Sequence, residues 1–232
     1  MPLLAFDTSQ NSASVAVLHQ GVVVAESTDT DANRQAERLL SLIEKTLTKA
    51  ALEWPAITRV GVTIGPGSFT GVRIGIAAAK GLCLPGAIPL HGISCLLVQA
   101  WAAQQIIQSQ TFASMPTEIM VVMDARRQHV YSQRFGPTLQ ALSSPALCSY
   151  EEAAQHIQAH TCLVGSAIDL LLPYILNPSC ILIRDMLLNA SIVAQAIEFY
   201  LKTSEESNLM STSTIEPLYI RPPDAKPQSI PF

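Results

Sequence analysis

Apolar and polar residues follow a strand-like pattern at the start of the chain and a helical one soon after. Apolar runs at 3–7, 13–18 and 22–27 predict three strands, the last two joined by a turn at His19-Gln20-Gly21. Apolar residues then recur at intervals of three and four, which predicts an amphipathic helix over 34–50 with Asn33 as its N-cap.

The rest of the first half alternates strands with helices. The pattern predicts strands at 59–64 and 88–91 and helices at 68–84 and 94–108. Such an order is typical of an α/β fold in which helices cover a mixed sheet. Residues 109–116 are expected to form a hinge, which makes 1–108 an N-terminal lobe.

The second half repeats the opening in a shorter form. The run IMVVMDARRQHVYSQRF at 119–135 has the same order as LLAFDTSQNSASVAVL at 3–18, namely apolar strand, Asp, polar turn and second strand. Further elements are predicted as a helix at 150–160, strands at 161–165 and 180–183, and a helix at 191–201. These make a smaller C-terminal lobe at 117–216, followed by an extended Pro-rich tail at 217–232.

Composition and charge narrow the function classes. Hydrophobic residues make up 49% of the 232 residues and charged ones 14%, as in a folded globular protein. The net charge of −4 is the opposite of the basic footprint of an autonomous nucleic-acid binder. The five cysteines are scattered, and neither a secretory signal nor a membrane span is indicated, so we expect a cytoplasmic protein.

Two carboxylates that end predicted strands fit two interpretations. Asp7, followed by Thr8 and Ser9, and Asp124 could hold a nucleotide between the lobes, as the paired carboxylates of ATPases and sugar kinases do. Alternatively, Asp7 caps its own turn as an Asx-turn. The turn after Asp124 has no glycine, so Arg126 and Arg127 would crowd a phosphate there, although their guanidinium groups could contact an anion.

The segment GPGSFTGVRIG at 65–75 resembles a phosphate loop only in composition. A Walker loop needs Lys and Ser or Thr after its last loop glycine, where Val72-Arg73 stands, and Thr70 departs from the dinucleotide fingerprint. The four-residue spacing of Gly67, Gly71, Gly75 and Ala79 instead predicts a helix face that another backbone approaches closely. Anion binding at Ser68 and Thr70, where this helix begins, stays open.

Histidine spacing offers weak support for a metal site. His156 and His160 are one helical turn apart, but no glutamate of an H-E-x-x-H motif and no third ligand accompany them. Because no nucleophile with a base can be assembled either, we predict no catalytic residue and no metal, and the sequence gives a peptidase little support.

Four segments together resemble the bacterial TsaB (YeaZ) family: LAFDTS at 4–9, GPGSFTGVRIG at 65–75, MDAR at 123–126 and EPLYIR at 216–221. The resemblance implies an actin-like, sugar-kinase-like (ASKHA) fold with a reduced second lobe and no competent nucleotide site. It also implies a subunit that binds the catalytic protein TsaD and acts with the ATPase TsaE, in the complex that transfers a threonylcarbamoyl group to adenosine 37 of tRNA.

The family resemblance places the contact with TsaD, or with a second copy when TsaD is absent, on the first two helices. Gln35-Ala36 stands where many members have His followed by Ser or Thr, which leaves open how this helix start is held. We therefore expect an interface formed by Glu37, Arg38, Leu39, Leu42, Gly67, Gly71, Val72, Arg73, Gly75, Ile76 and Ala79.

The sequence thus predicts a non-catalytic, activating subunit without a cofactor of its own. ATP and metal are expected on TsaD and TsaE, tRNA contact only through the complex, and no contact with a membrane. The possible vestigial nucleotide or anion site comprises Asp7, Thr8, Ser68, Thr70 and Asp124. The alternative function is an ATP-dependent phosphotransferase that uses Asp7 and Asp124.

Overall fold

Two mixed β-sheets with helices packed on their faces form the computed structural model, which describes residues 1–31, 34–110, 115–176, 180–184, 186–203 and 206–221. The strands are β1 (Leu3–Asp7), β2 (Ala13–His19), β3 (Val22–Asp29), β4 (Arg59–Thr63), β5 (Leu90–Ile93), β6 (Glu118–Asp124), β7 (His129–Phe135), β8 (Ala146–Ser149), β9 (Thr161–Val164), β10 (Ile181–Ile183) and β11 (Met210–Ser211). The helices are α1 (Gln35–Lys49), α2 (Phe69–Cys83), α3 (Cys95–Ser109), α4 (Tyr150–Gln155), α5 (Ile168–Leu171) and α6 (Ala190–Lys202).

The two sheets share one topology around a central strand. In the first, ordered β11-β5-β4-β1-β2-β3, β1 is antiparallel to β2 and parallel to β4. In the second, ordered β10-β9-β6-β7-β8, β6 is antiparallel to β7 and parallel to β9. This confirms the predicted repeat, and it puts Asp7 and Asp124 at equivalent strand ends.

Helices α3 and α6 pack together between the sheets. Val193 and Ile197 of α6 share one apolar cluster with Ala5 of β1 and Val121 of β6, and α3 contributes its apolar residues to the same cluster. Gly61 of β4 leaves room for the Ile197 side chain, which a Cβ there would overlap. Helices α1 and α2 cover the outer face of the first sheet, and α4 and α5 cover that of the second.

The predicted lobe boundaries are therefore wrong in two places. Helix α6 and strand β11, assigned to the lobe at 117–216, belong to the first sheet, because α6 packs on β1 and β2 and β11 pairs with β5. Helix α3, assigned to the lobe at 1–108, packs on β6 of the second sheet. The apolar pattern identified both helices but did not specify which sheet each one covers.

Most predicted elements are confirmed to within a few residues. The helix predicted at 150–160 is shorter, since α4 begins at a capping box of Ser149 and Glu152 and ends at Gln155. Strands β8 and β11 and helix α5 were not predicted. The N-cap expected at Asn33, most of the hinge and the tail beyond 221 lie outside the described residues. No described helix is both long and apolar enough to cross a membrane.

Candidate functional site

A cleft of about 970 Å³ lies where the ends of β1 and β6 face each other. The start of α2 forms one wall, the β6–β7 turn forms another, and the C-terminal segment 217–221 runs along the cavity. Among the described residues, its charged lining consists of three arginines and one carboxylate: Arg73, Arg126, Arg221 and Asp124.

Asp7 does not line this cleft. It is 1% exposed, and its Oδ1 accepts hydrogen bonds from the backbone N–H of Ser9, at 3.1 Å, and from the hydroxyl of Thr63. Its Oδ2 is buried without a hydrogen-bond partner among the described residues, and burial raises the pKa of the carboxyl. This geometry is the Asx-turn of the alternative interpretation, and it excludes Asp7 from direct contact with a ligand in the cleft.

The glycine face of α2 packs inside the protein, against the turn that follows β1. A Cβ at Gly71 would overlap the carbonyl oxygen of Thr8, one at Gly67 would overlap that of Ser9, and one at Gly75 would lie 2.5 Å from Thr8 Oγ1. Ala79 is fully buried. The expectation that another chain covers Gly71, Gly75 and Ala79 is therefore wrong, because Thr8 of the protein's own turn lies against both glycines and Ala79 belongs to the apolar core beneath α2.

A hydrogen bond holds Thr8 against α2. Its hydroxyl donates to the carbonyl oxygen of Gly71 at 2.7 Å, and its side chain is buried. Of the other residues of the predicted nucleotide or anion site, Ser68 and Asp124 line the cleft, whereas Thr70 is exposed but not part of the cleft lining. The predicted site is therefore wrong at Asp7 and Thr8, which are buried, and Thr70 lies outside the cleft.

The N-cap of α2 is Ser68, one residue before Phe69, close to the predicted start of the helix at 68. The Ser68 hydroxyl accepts a hydrogen bond from the N–H of Gly71 at 3.1 Å, and the Ser68 N–H donates to the carbonyl oxygen of Ser9 at 2.7 Å. The N-cap residue therefore ties the helix start to the β1–β2 turn.

The segment 217–221 is held against α2 by aromatic and cationic side chains. The Arg73 guanidinium lies 3.7 Å from the centre of the Phe69 ring, and its Nε donates to the hydroxyl of Tyr219 at 2.6 Å. The N–H of Leu218 donates to the carbonyl oxygen of Ile64 at 2.8 Å. The sequence predicted an extended tail but not this attachment. Tyr219 and Arg73 are far apart in the sequence, so their contact leaves no local pattern.

Asp124 lies at the opposite side of the cleft and is half-buried. Its Oδ1 accepts a hydrogen bond from the N–H of Arg126 at 2.7 Å, and its own N–H donates to Ser166 Oγ at 3.0 Å. Residues 126–128 all have left-handed φ values, between +53° and +63°, which bends the chain sharply without a glycine. Arg126 lines the cleft, with its Nε 3.8 Å from Asp124 Oδ2, and Arg127 is exposed outside the lining.

Only part of the predicted partner interface is accessible. Leu39, Leu42, Val72 and Ile76 belong to the apolar core beneath α1 and α2, so their assignment to an interface is wrong. By contrast, Glu37 and Arg73 are exposed, and Arg38 is half-exposed beside Asp29.

The start of α1 is held by Gln35. The Gln35 amide donates to the carbonyl oxygens of Gln10 and Ser12, at 2.9 and 3.0 Å. The glutamine that replaces the family's usual histidine thus ties α1 to the β1–β2 turn, while Ala36 beside it is exposed.

The two histidines considered for a metal site do not share a helix. Helix α4 ends before His156, and His160 lies in a turn with φ +67°. Within the described ranges, no group of three or more His, Cys, Asp or Glu side chains could hold a metal ion.

Comparison with known proteins gives consistent matches. The family described as "TsaD: tRNA N6-adenosine threonylcarbamoyltransferase" matches residues 22–222. The TsaB protein of Haemophilus influenzae is 31% identical over 172 residues, which cover 68% of this chain and 68% of that protein. This chain belongs to the TsaB family. The TsaB protein of Escherichia coli is 34% identical over 131 residues, where the match spans 56% of this chain and only about half, 53%, of the relative.

Solved structures agree with this family. YeaZ from Pseudomonas aeruginosa superposes with a TM-score of 0.76 at 25% identity, over 94% of this chain and 99% of that one. A ROK hexokinase from Thermus thermophilus superposes with a TM-score of 0.51 at 11% identity, over 87% and 99% of the two chains. The expected two-lobed ASKHA fold is therefore confirmed for this TsaB-family protein.

Proposed function

We propose that this protein is a non-catalytic subunit that binds TsaD and activates it in the synthesis of threonylcarbamoyladenosine on tRNA. Its membership of the TsaB family supports the pathway. The observation that carries the binding role is an exposed surface on α1 and α2, which we call the α1–α2 face: Ala36, Leu40, Ala77, Gly81 and Leu84.

The α1–α2 face is apolar and unusually open. Leu40 is 53% exposed and Leu84 is 82% exposed. On α2, Ala77, Gly81 and Leu84 follow one another at intervals of four and three, so they lie on one side of the helix, opposite the inner glycines. Two neighbouring helices with small and apolar outward positions offer a partner helix a close approach.

Gly81 is the residue that most needs such a partner. A Cβ at this position would meet nothing within 4 Å, so the fold itself does not require glycine there. Glycine inside a helix costs about 0.5 to 1 kcal/mol relative to alanine. A partner backbone packed on Gly81 in the complex with TsaD accounts for this cost.

The inaccessible Asp7 supports a role without chemistry of its own. A phosphotransferase that used Asp7 would need the carboxylate to reach a metal ion or a hydroxyl in the cleft. In this protein, the turn packed on α2 separates Asp7 from the cleft. We infer that ATP and metal are bound by TsaD and TsaE, and that tRNA is reached through the complex.

The interface is tested by replacing Gly81 with tryptophan and measuring co-purification with tagged TsaD of the same organism. The tryptophan projects into open space in the free protein, so the variant should fold with unchanged thermal stability and lose TsaD. The matched control is Gln155→Trp, at an exposed end of α4 away from α1 and α2. Retention of TsaD by folded Gly81→Trp would refute this interface.

Gly75→Leu does not test the α1–α2 face, because Gly75 is buried on the other side of α2. Because the Gly75 Cβ would lie 2.5 Å from Thr8 Oγ1, that variant disturbs the fold itself.

The activating role is tested by reconstituting tRNA modification with and without this protein. We expect modification by TsaD and TsaE to depend on it, and equal modification in its absence would overturn the proposal. Calorimetry with Mg-ATP on the isolated protein should show no binding. Micromolar binding would instead support the phosphotransferase alternative. We further expect a weaker homodimer through the same α1–α2 face, dissociated by Gly81→Trp in sedimentation.

A further inference from the structure

A second cavity of about 380 Å³ adjoins the cleft, and it has a different chemistry. Gln10, Asn11 and Ser166 line both cavities, so the two cavities lie side by side. The second cavity extends toward the start of α6 and the edge of the first sheet, where its polar lining includes Ser12, Ser14, Thr28, Thr30, Gln99 and Asn189.

Gln99 is the unusual member of this lining. It comes from α3, an otherwise largely apolar helix buried between the two sheets, and it is 4% exposed. Its Oε1 is shielded from solvent and has no hydrogen-bond partner in the part of the chain that the structure describes. Gly165 lies so close that a Cβ there would be 3.0 Å from this oxygen. A buried amide left unsatisfied in this way costs free energy that a bound ligand can recover.

A second buried glutamine on the same helix provides the contrast. Gln104 is 9% exposed, and its amide donates to the carbonyl oxygen of Pro137 at 2.6 Å. The fold itself therefore uses the amide of Gln104, whereas Gln99 lines the second cavity and its Oε1 has no partner among the described residues.

The lining selects a neutral ligand. None of the described residues that line the second cavity has a charged side chain. Ser14 Oγ accepts from the N–H of Ala190 at 2.9 Å, which leaves its hydroxyl hydrogen to donate, and Asn189 Oδ1 is used by the N–H of Ile192 at 3.0 Å. The other polar groups of the lining are hydroxyls and amides, which both donate and accept, and Met186, Leu187 and Leu188 form its apolar part.

We propose that the second cavity binds a small neutral polyhydroxyl compound, with Gln99 as its buried hydrogen-bonding residue. Hydroxyl groups of a ligand both donate and accept, which complements this mixed lining, and the volume lies within the range of about 300 to 1,000 Å³ of small-molecule sites. The proposal rests on the second cavity alone and is independent of binding to TsaD.

The test uses D-glucose and myo-inositol as probes at millimolar concentrations on the full chain, with saturation-transfer NMR to detect binding and nitrogen–proton correlation spectra to observe the protein amides. We expect at least one probe to bind and to shift the side-chain amide resonances of Gln99, which are identified by their loss in Gln99→Met. In that variant, binding should weaken by about tenfold or more, because a buried hydrogen bond is removed. Thermal stability should stay equal or rise, because an unsatisfied amide is also removed.

Gln105→Met is the matched control, since Gln105 lies on the exposed side of α3. Unchanged binding in this variant, together with loss in Gln99→Met, supports the site. Failure of both probes to bind the wild-type protein would overturn the proposal, and so would binding that survives Gln99→Met.

Discussion

Two glycines on α2 should respond to alanine with opposite signs. Gly71 is buried, and a Cβ there would overlap the backbone oxygen of Thr8 and lie 3.1 Å from Gln35 Oε1. Gly81 is exposed, and a Cβ there would meet nothing within 4 Å. The same substitution in one helix therefore separates the effect of packing from that of helix propensity.

The magnitudes follow from these contacts. Overpacking costs about 1 to 3 kcal/mol, and the upper part of that range applies to Gly71→Ala because a carbonyl oxygen cannot rotate away. The strain also disturbs the bond from the Thr8 hydroxyl to the Gly71 carbonyl, worth about 1 kcal/mol. The gain in helix propensity returns about 0.5 to 1 kcal/mol. Gly71→Ala should therefore lose about 2 to 3.5 kcal/mol, and Gly81→Ala should gain about 0.5 to 1 kcal/mol.

Thermal and urea unfolding, followed by circular dichroism, measure both changes. In a protein of this size, 1 kcal/mol shifts Tm by about 2 to 4 °C, so we expect a fall of about 4 to 14 °C for Gly71→Ala and a rise of about 1 to 4 °C for Gly81→Ala. An unchanged or raised Tm for Gly71→Ala would refute the close packing of α2 on the β1–β2 turn. A loss of stability in Gly81→Ala would refute the open surface at that position.

Two further predictions concern the Asx-turn and the C-terminal segment. Burial raises the pKa of Asp7 above its ordinary value of 3.8, so the stability that this carboxyl contributes is present below that value and is lost as the pH rises through the native pKa. Asp7→Asn should therefore raise Tm relative to wild type near neutral pH and much less in acid, and a pH-independent difference would contradict this. Arg73→Ala should speed hydrogen exchange of the Leu218 backbone N–H, because the Arg73 guanidinium no longer holds Tyr219. The control is Lys80→Ala on the same helix. Equal protection of the Leu218 N–H in the two variants would argue against this attachment.

Local patterns predicted the elements well because each element follows its own period. The strand ends at Asp7 and Asp124 and the repeat around them were readable, since apolar strand, acid and polar turn recur in order along the chain. The start of α2 near Ser68 was likewise predictable, because the capping bond that the Gly71 N–H donates to the serine hydroxyl is local in sequence.

What the sequence could not specify was the neighbour of each face. Spacing by four identified a close contact along Gly71 and Gly75, but the same spacing fits a partner helix or the protein's own turn. Leu39 and Ile76 were assigned to an interface from the family, although their apolar side chains serve the core equally well. Gln99 is visible in the sequence as an amide that interrupts the apolar pattern of α3, but the pattern alone does not show that it lines a cavity.

The inner glycines also account for the position of Asp7 outside the cleft. Gly67 and Gly71 let the backbone at Thr8 and Ser9 lie directly on α2, and the bond from the Ser68 N–H to the Ser9 carbonyl fixes it there. The carboxyl of Asp7 is then turned toward Thr63, under the turn instead of beyond it. The segment 65–75, which resembles a phosphate loop by composition, thus prevents the Asp7 carboxylate from contacting a phosphate in the cleft. Among the described residues, the cleft keeps the arginines and Asp124 but has no second carboxylate to form the pair on which a phosphotransferase would depend.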